Sequence, residues 1–125
     1  GAPGSGNAED SELRVQRQGD VSFISGGIGE EGRDAMHQAE SGYNLRLLFA
    51  RQSSGEYLAD VGVTLTDGHG KNVLEATSDG PLFYAHVPPG HYKLNVAFAG
   101  KTQSRSISIA ASGVVSQAFY WPKGQ

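Results

Sequence analysis

The chain has no cysteine. That excludes disulfides, thiol nucleophiles and cysteine-based metal sites, and it leaves the redox compartment open. No apolar run approaches the roughly 18 residues that a membrane-spanning helix needs. Blocks of like charge are also missing, and with them the basic stripe of a nucleic-acid-binding surface. The acidic excess is small: net charge is −3. Residues 1–66 carry ten acids and five bases, while residues 67–125 carry three acids and five bases. Neither imbalance exceeds ordinary surface scatter. Large aliphatics are scarce at the start, where Leu13 and Val15 stand alone in the first twenty residues.

What is present is a single-domain length of 125 residues with 38% hydrophobic residues and 18 glycines. Such a chain can bury a core without staples, and the glycines suit many turns. Residues 1–20 open with Gly-Ala-Pro-Gly-Ser-Gly and continue with mixed acids and glutamines. Their composition predicts a disordered N-terminal segment. Residues 21–122 are expected to form one domain. No signal segment is visible; the first residue is Gly1 rather than Met, which fits either a processed or an artificial start, and the former is compatible with a signal segment removed earlier.

Val21–Ser25 is a strand candidate that Gly26-Gly27 breaks. Small or apolar residues at Ile28, Gly32, Ala35, Met36 and Ala39 follow helical spacing and predict one short helix over residues 29–41. Glu30 and Glu31 sit in its first turn, where the helix dipole favours acids, and Gly42 suits the C′ position. Gly32 weakens the helix by about 1 kcal/mol relative to Ala. Helical contact is therefore expected from Ala35, Met36 and Ala39 against the rest of the domain.

After Gly42 the period changes to two. Leu45, Leu47 and Phe49 alternate with other residues, then Ala59, Val61, Val63 and Leu65 do so. Further strands are expected over Asn72–Thr77, Leu82–Val87, Tyr92–Phe98, around Ile107 and Ile109, and over Val114–Trp121. Turn signals separate them at Ser53-Ser54-Gly55, Asp67-Gly68-His69-Gly70, Ser78-Asp79-Gly80-Pro81, Pro88-Pro89-Gly90, Ala99-Gly100-Lys101 and Ala111-Ser112-Gly113. This spacing predicts a mainly β, seven- to eight-stranded antiparallel sandwich. Val61, Val63, Leu65, Leu94, Val96 and Phe98 are its expected common core.

From about Leu58 onward these residues resemble a known family. Ala59–Asp67 with Gly70-Lys71, Thr77-Ser78-Asp79-Gly80, the hairpin-like Val87-Pro88-Pro89-Gly90-His91-Tyr92, and Ala99-Gly100-Lys101 are similar to the carboxypeptidase regulatory-like domain, a transthyretin-like β-sandwich. The pattern from Ser25 resembles small exported proteins of proteobacteria in which a Gly-Gly-x-Gly-Glu-Glu helix precedes the sandwich. The resemblance implies the fold and an exported, periplasmic or envelope location. In the namesake enzymes the domain is an accessory to the catalytic unit, so the resemblance implies no catalytic residue here.

Four features invite a chemical reading. Gly27-Ile28-Gly29-Glu30-Glu31-Gly32 matches G-x-G-x-x-G, but Glu30 and Glu31 would stand beside a bound phosphate and no βαβ unit follows; it reads as a helix entry. Gly100-Lys101-Thr102 lacks the upstream Gly of a phosphate loop and precedes a strand, so it reads as a turn. His86 and His91 flank the Val-Pro-Pro-Gly turn and would face each other across a hairpin, as paired metal ligands can; the alternative is two exposed histidines. Tyr84 and Tyr120 each alternate with a neighbouring aromatic, which puts one of each pair at a rim, where it can contact a partner. No G-x-S-x-G elbow supports a hydrolase, and the Tyr-Arg-Gly-Ser ending of transthyretin-like hydrolases is replaced by Phe119-Tyr120-Trp121-Pro122-Lys123-Gly124-Gln125. The sequence thus predicts a non-enzymatic, monomeric module without cofactor or nucleic acid, which meets an unidentified protein partner in the cell envelope. A glycan- or metal-binding module is the alternative, and a hydrolase on the same fold a third.

Overall fold

The computed structural model describes residues 13–123. Nine strands and one α-helix form in them: β1 (Gln16–Gln18), β2 (Val21–Gly26), α1 (Gly29–Ala39), β3 (Leu45–Arg51), β4 (Val61–Asp67), β5 (Asn72–Ser78), β6 (Leu82–His86), β7 (Gly90–Phe98), β8 (Lys101–Ile109) and β9 (Val115–Trp121). The strands make two sheets, ordered β1-β2-β6-β3-β9 and β5-β4-β7-β8. Apolar residues of period two drive this arrangement. Each strand turns one row inward, and the two rows meet in one core. Phe23, Leu47, Phe49, Phe83, Phe119 and Trp121 of the first sheet pack there against Val61, Val63, Leu65, Leu94 and Val96 of the second. Phe98, expected in this core, is only partly buried; its ring lies 5.8 Å from that of Trp121, with the Arg51 guanidinium stacked on it at 5.1 Å.

Pairing is mostly antiparallel, as expected, with one exception. β3 and β9 run parallel, Leu45 opposite Val115 through Arg51 opposite Trp121. Sequence-adjacent strands joined by tight turns must be antiparallel, but β9 meets β3 only after five intervening strands, so no turn dictates its direction. The ninth strand is β1, where disorder was expected over residues 1–20. Gln16, Arg17 and Gln18 pair with Phe23, Ser22 and Val21. The remainder of that expectation, residues 1–12, lies outside the described residues.

Helix α1 ends at Ala39 rather than residue 41, and a 3-10 turn over Glu40–Gly42 carries the chain to β3. Gly42 is thus part of this turn. The helix covers the outer face of the first sheet. Met36, fully buried, joins Ile24, Leu82 and Tyr84 in a second apolar cluster, with Ala39, Tyr43 and Leu48 around it. The glycine-rich entry serves this packing. A Cβ on Gly32 would lie 3.3 Å from the Gly27 carbonyl carbon, so glycine lets α1 lie this close to the end of β2 without displacing that backbone by a few tenths of an ångström. Gly80 has a similar role: a Cβ there would be 2.3 Å from the Gly26 carbonyl oxygen.

Polar side chains tie the two layers together at their sides. The Gln18 amide donates to the Glu75 carbonyl at 2.8 Å and accepts from the Glu75 N–H at 2.9 Å. It thereby occupies the outward edge of β5 as a further strand would. On the opposite side the Gln103 amide donates to the Tyr120 carbonyl at 2.8 Å, and the Trp121 indole donates to the Lys101 carbonyl at 3.0 Å.

Candidate functional site

The histidine pair does not assemble. β6 and β7 belong to different sheets, so Pro88-Pro89 is a crossing between layers and not a hairpin turn. The crossing is fixed by Asn44, whose side-chain amide donates to the Val87 carbonyl and accepts from the Val87 N–H, both at 2.9 Å. The Tyr92 hydroxyl adds a 2.7 Å bond to the Pro88 carbonyl. Val87 is fully buried between them. His86 is exposed opposite Ser22 on the first sheet, whereas His91 is exposed on the second, its Nδ1 2.8 Å from the Ser108 hydroxyl. The hairpin that was to bring the two rings face to face is therefore absent. Among the described residues no group of three or more His, Cys, Asp or Glu side chains is placed to share a metal ion.

The two tyrosine candidates separate. Tyr84 is 4% exposed, which corrects its reading as a surface contact residue. Alternation does place it on the outer face of the first sheet, but α1 covers that face at β2 and β6. Burial pushes the Tyr84 phenol above its ordinary pKa, and the Glu40 carboxylate adds to this against the partial offset of Arg46. Tyr120 is 48% exposed, as a contact residue should be.

A second surface tyrosine, Tyr57, stands beside it. Residues 56–58 return from the Ser53-Ser54-Gly55 turn and take the place of a strand next to β3. The Arg51 N–H donates to the Glu56 carbonyl at 2.7 Å, and the Leu58 N–H donates to the Phe49 carbonyl at 3.1 Å. Leu58 then points into the core, so Tyr57 points out. Ala50 faces Tyr57 on one side and Tyr120 on the other. The three residues form one row on the outer face, with the tyrosine backbones about 10 Å apart, twice the strand spacing. Ala50 is nearly inaccessible and both tyrosines are half-exposed. Arg33 of α1 completes the patch, its guanidinium 4.9 Å from the Tyr57 ring centroid. Tyr57 was missed at the level of sequence because it lies outside any alternating run. The available signal was the Tyr57-Leu58 pair itself, one residue outward and one inward, directly after a turn.

Two clefts flank the fold. One, of about 500 Å³, lies between the β1–β2 turn and the β4–β5 turn, lined by Asp20, Asp67, Lys71, Asn72, Pro88 and Tyr92 among others. Its carboxylate Asp67 is already engaged, accepting the backbone N–H of Lys71 at 3.0 Å and of His69 at 2.9 Å. The other, of about 310 Å³, sits at the start of α1 among Gly27, Glu31, Gly32, Ala35 and Asp79. It is the place a G-x-G-x-x-G phosphate site would occupy, and it presents Glu31 and Asp79 instead of cations.

No helix among the described residues is long and apolar enough to cross a membrane. Against known proteins, no family model matches the chain and no curated protein matches its sequence.

Proposed function

We propose that the protein is a non-enzymatic module that acts through protein–protein contact at the Tyr57–Ala50–Tyr120 patch. The carrying observation is the patch itself: two half-exposed tyrosines in one row, over a buried alanine, with an arginine stacked at one side. Tyrosine and arginine dominate the energetic centres of protein interfaces, because each buries a large area and keeps a polar tip. Strand β9 holds Tyr120 and a backbone bridge to β3 holds Tyr57, so little ordering is left to oppose binding. The finer fold reading, a transthyretin-like carboxypeptidase regulatory-like domain, rests on the turn and strand residues from Leu58 onward. The exported, envelope location rests on the same resemblance.

A glycan is the second reading, favoured by two half-exposed aromatic side chains in one row, since sugars also stack on aromatic faces. One experiment separates the two. The Tyr57→Ser/Tyr120→Ser variant and the wild type are each immobilised and exposed to the envelope fraction of the source cell, and in parallel mixed with insoluble polysaccharides. The protein reading predicts a defined partner retained by the wild type and lost from the variant, with no co-sedimentation on polysaccharide. Tyrosine-dependent co-sedimentation without a protein partner would establish the glycan reading instead.

A further inference from the structure

The β8 edge is an open hydrogen-bonding surface. β8 pairs with β7 in nine unbroken register pairs, from Gly90 opposite Ile109 to Phe98 opposite Lys101. Ala99 and Gly100 form the two-residue turn between them, so Phe98 and Lys101 are a hydrogen-bonded pair. Alternation then directs the N–H and C=O groups of Lys101, Gln103, Arg105, Ile107 and Ile109 toward β7. Those of Thr102, Ser104, Ser106 and Ser108 point out of the sheet. No strand or loop among the described residues bonds to these four.

Edge strands are ordinarily blunted by proline, bulges, short length or a covering element. β8 has no proline and no bulge, and it is nine residues long. Its four outward residues carry only hydroxyl side chains, which leave room for a neighbour. The far edge of the same sheet contrasts with it, because Gln18 occupies both outward groups of Glu75 on β5.

Charge selects the partner. No Asp or Glu occurs anywhere in residues 80–125, which hold Lys93, Lys101, Arg105 and Lys123. Lys93 and Lys101 are exposed on β7 and β8, together with His91. Arg105 lies against the Phe119 ring at 4.1 Å and bonds to Gln117, on the core side of the edge. The nearest acid in this sheet is Asp67, opposite Tyr92 on β4, and its carboxylate is turned into its own loop. A strand added to β8 therefore lies beside Lys93 on one face and beside Lys101 and Arg105 on the other.

We propose that the β8 edge takes up an extended, carboxylate-bearing segment of a partner protein as an additional strand. Backbone bonds to Thr102, Ser104, Ser106 and Ser108 supply the affinity, and Lys93, Lys101 and Arg105 supply the preference for acids. This rests on the reading of the chain as a protein-contact module and states the chemistry of the segment it takes.

The test titrates the isotope-labelled full chain with a capped nonapeptide of alternating threonine and glutamate, and with its twin carrying lysine for glutamate. Amide hydrogen exchange is read residue by residue. The expected result is about tenfold or greater slowing at Thr102, Ser104, Ser106 and Ser108 with the glutamate peptide, and no slowing with the lysine peptide. Ser106→Pro removes one outward N–H without touching the β7 ladder, and should weaken binding about tenfold. Ser106→Ala keeps that N–H and should bind as the wild type does. Unchanged exchange at the four amides, equal binding of both peptides, or full binding by Ser106→Pro would each overturn the proposal. So would slow exchange at the same amides without peptide in a sample that sediments as a dimer, since a second copy would then be the occupant. Failure on any of these counts leaves the retention assay on Tyr57 and Tyr120 intact, so the two readings fail separately.

Discussion

Asp67 shows what one side chain can do for a loop. Its carboxylate organises the β4–β5 turn by accepting the N–H of Lys71 and that of His69, and these bonds hold its pKa below the usual carboxylate range. A carboxyl whose folded pKa is depressed contributes stability above its unfolded pKa and loses it as pH falls through the folded value. The melting temperature of the wild type should therefore fall as pH drops below the ordinary carboxylate range, partly through this group. Asp67→Asn should fall less over the same drop in pH, and equal slopes would remove Asp67 from the acid response. The same scale governs Ala99, which sits at φ 51° before Gly100 at φ 82°. Both central residues of this turn are left-handed, where alanine is strained and asparagine is tolerated. Ala99→Asn should stabilise the protein by about 0.5–1 kcal/mol in denaturant titration, because it keeps the turn and removes the strain.

Helix α1 has eleven residues and no side-chain cap at its start. A helix of that length is marginal alone, so contact with the first sheet must hold it. Met36 makes that contact, fully buried against Ile24, Leu82 and Tyr84. Met36→Ala should cost roughly 2–4 kcal/mol in unfolding free energy. A change within experimental error would place the helix on the surface as a passive cover. The sequence showed the strands well, since their alternation is local. It showed Val61, Val63, Leu65, Leu94 and Val96 as one buried set, and the structure places all five in the shared core. It showed a helix packed on the domain through Met36, but not that the face covered is the outer face of the first sheet. Yet Phe23-Ile24 and Phe83-Tyr84 each carry apolar groups on both faces, the mark of strands buried on both sides. β1 was not legible either, because Gln-Arg-Gln has no apolar row. That strand depends on pairing with β2 and on the distant contact between Gln18 and Glu75.

At the scale of the molecule, two sheets are joined by a common core and by glutamine side chains at their edges. Gln18 spans from β1 to β5, so Gln18→Ala removes two inter-sheet hydrogen bonds and should cost about 1 kcal/mol. It should also speed amide exchange at Glu75, whose outward N–H has no other bond among the described residues. The chemistry-bearing side chains are dispersed across this frame: His86 on one sheet, His91 on the other, Asp67 fixed in a turn. The site legible in sequence was Tyr120 alone. Tyr57 and Arg33 join it only through the long-range pairing of residues 50, 57 and 120 and the placement of α1.

The central claim is that this row, on the outer face of the first sheet, is where a partner protein binds. Site-specific photo-crosslinking in the source cell tests it most directly. A photoreactive residue is placed at position 120, at position 57, and at exposed Thr77 on the far edge of the second sheet. The account predicts one discrete cross-linked species from positions 120 and 57, of the same mass, and none from position 77. Cross-linking from position 77 alone, or no adduct at 57 and 120 in cells where the protein is folded and abundant, would contradict it.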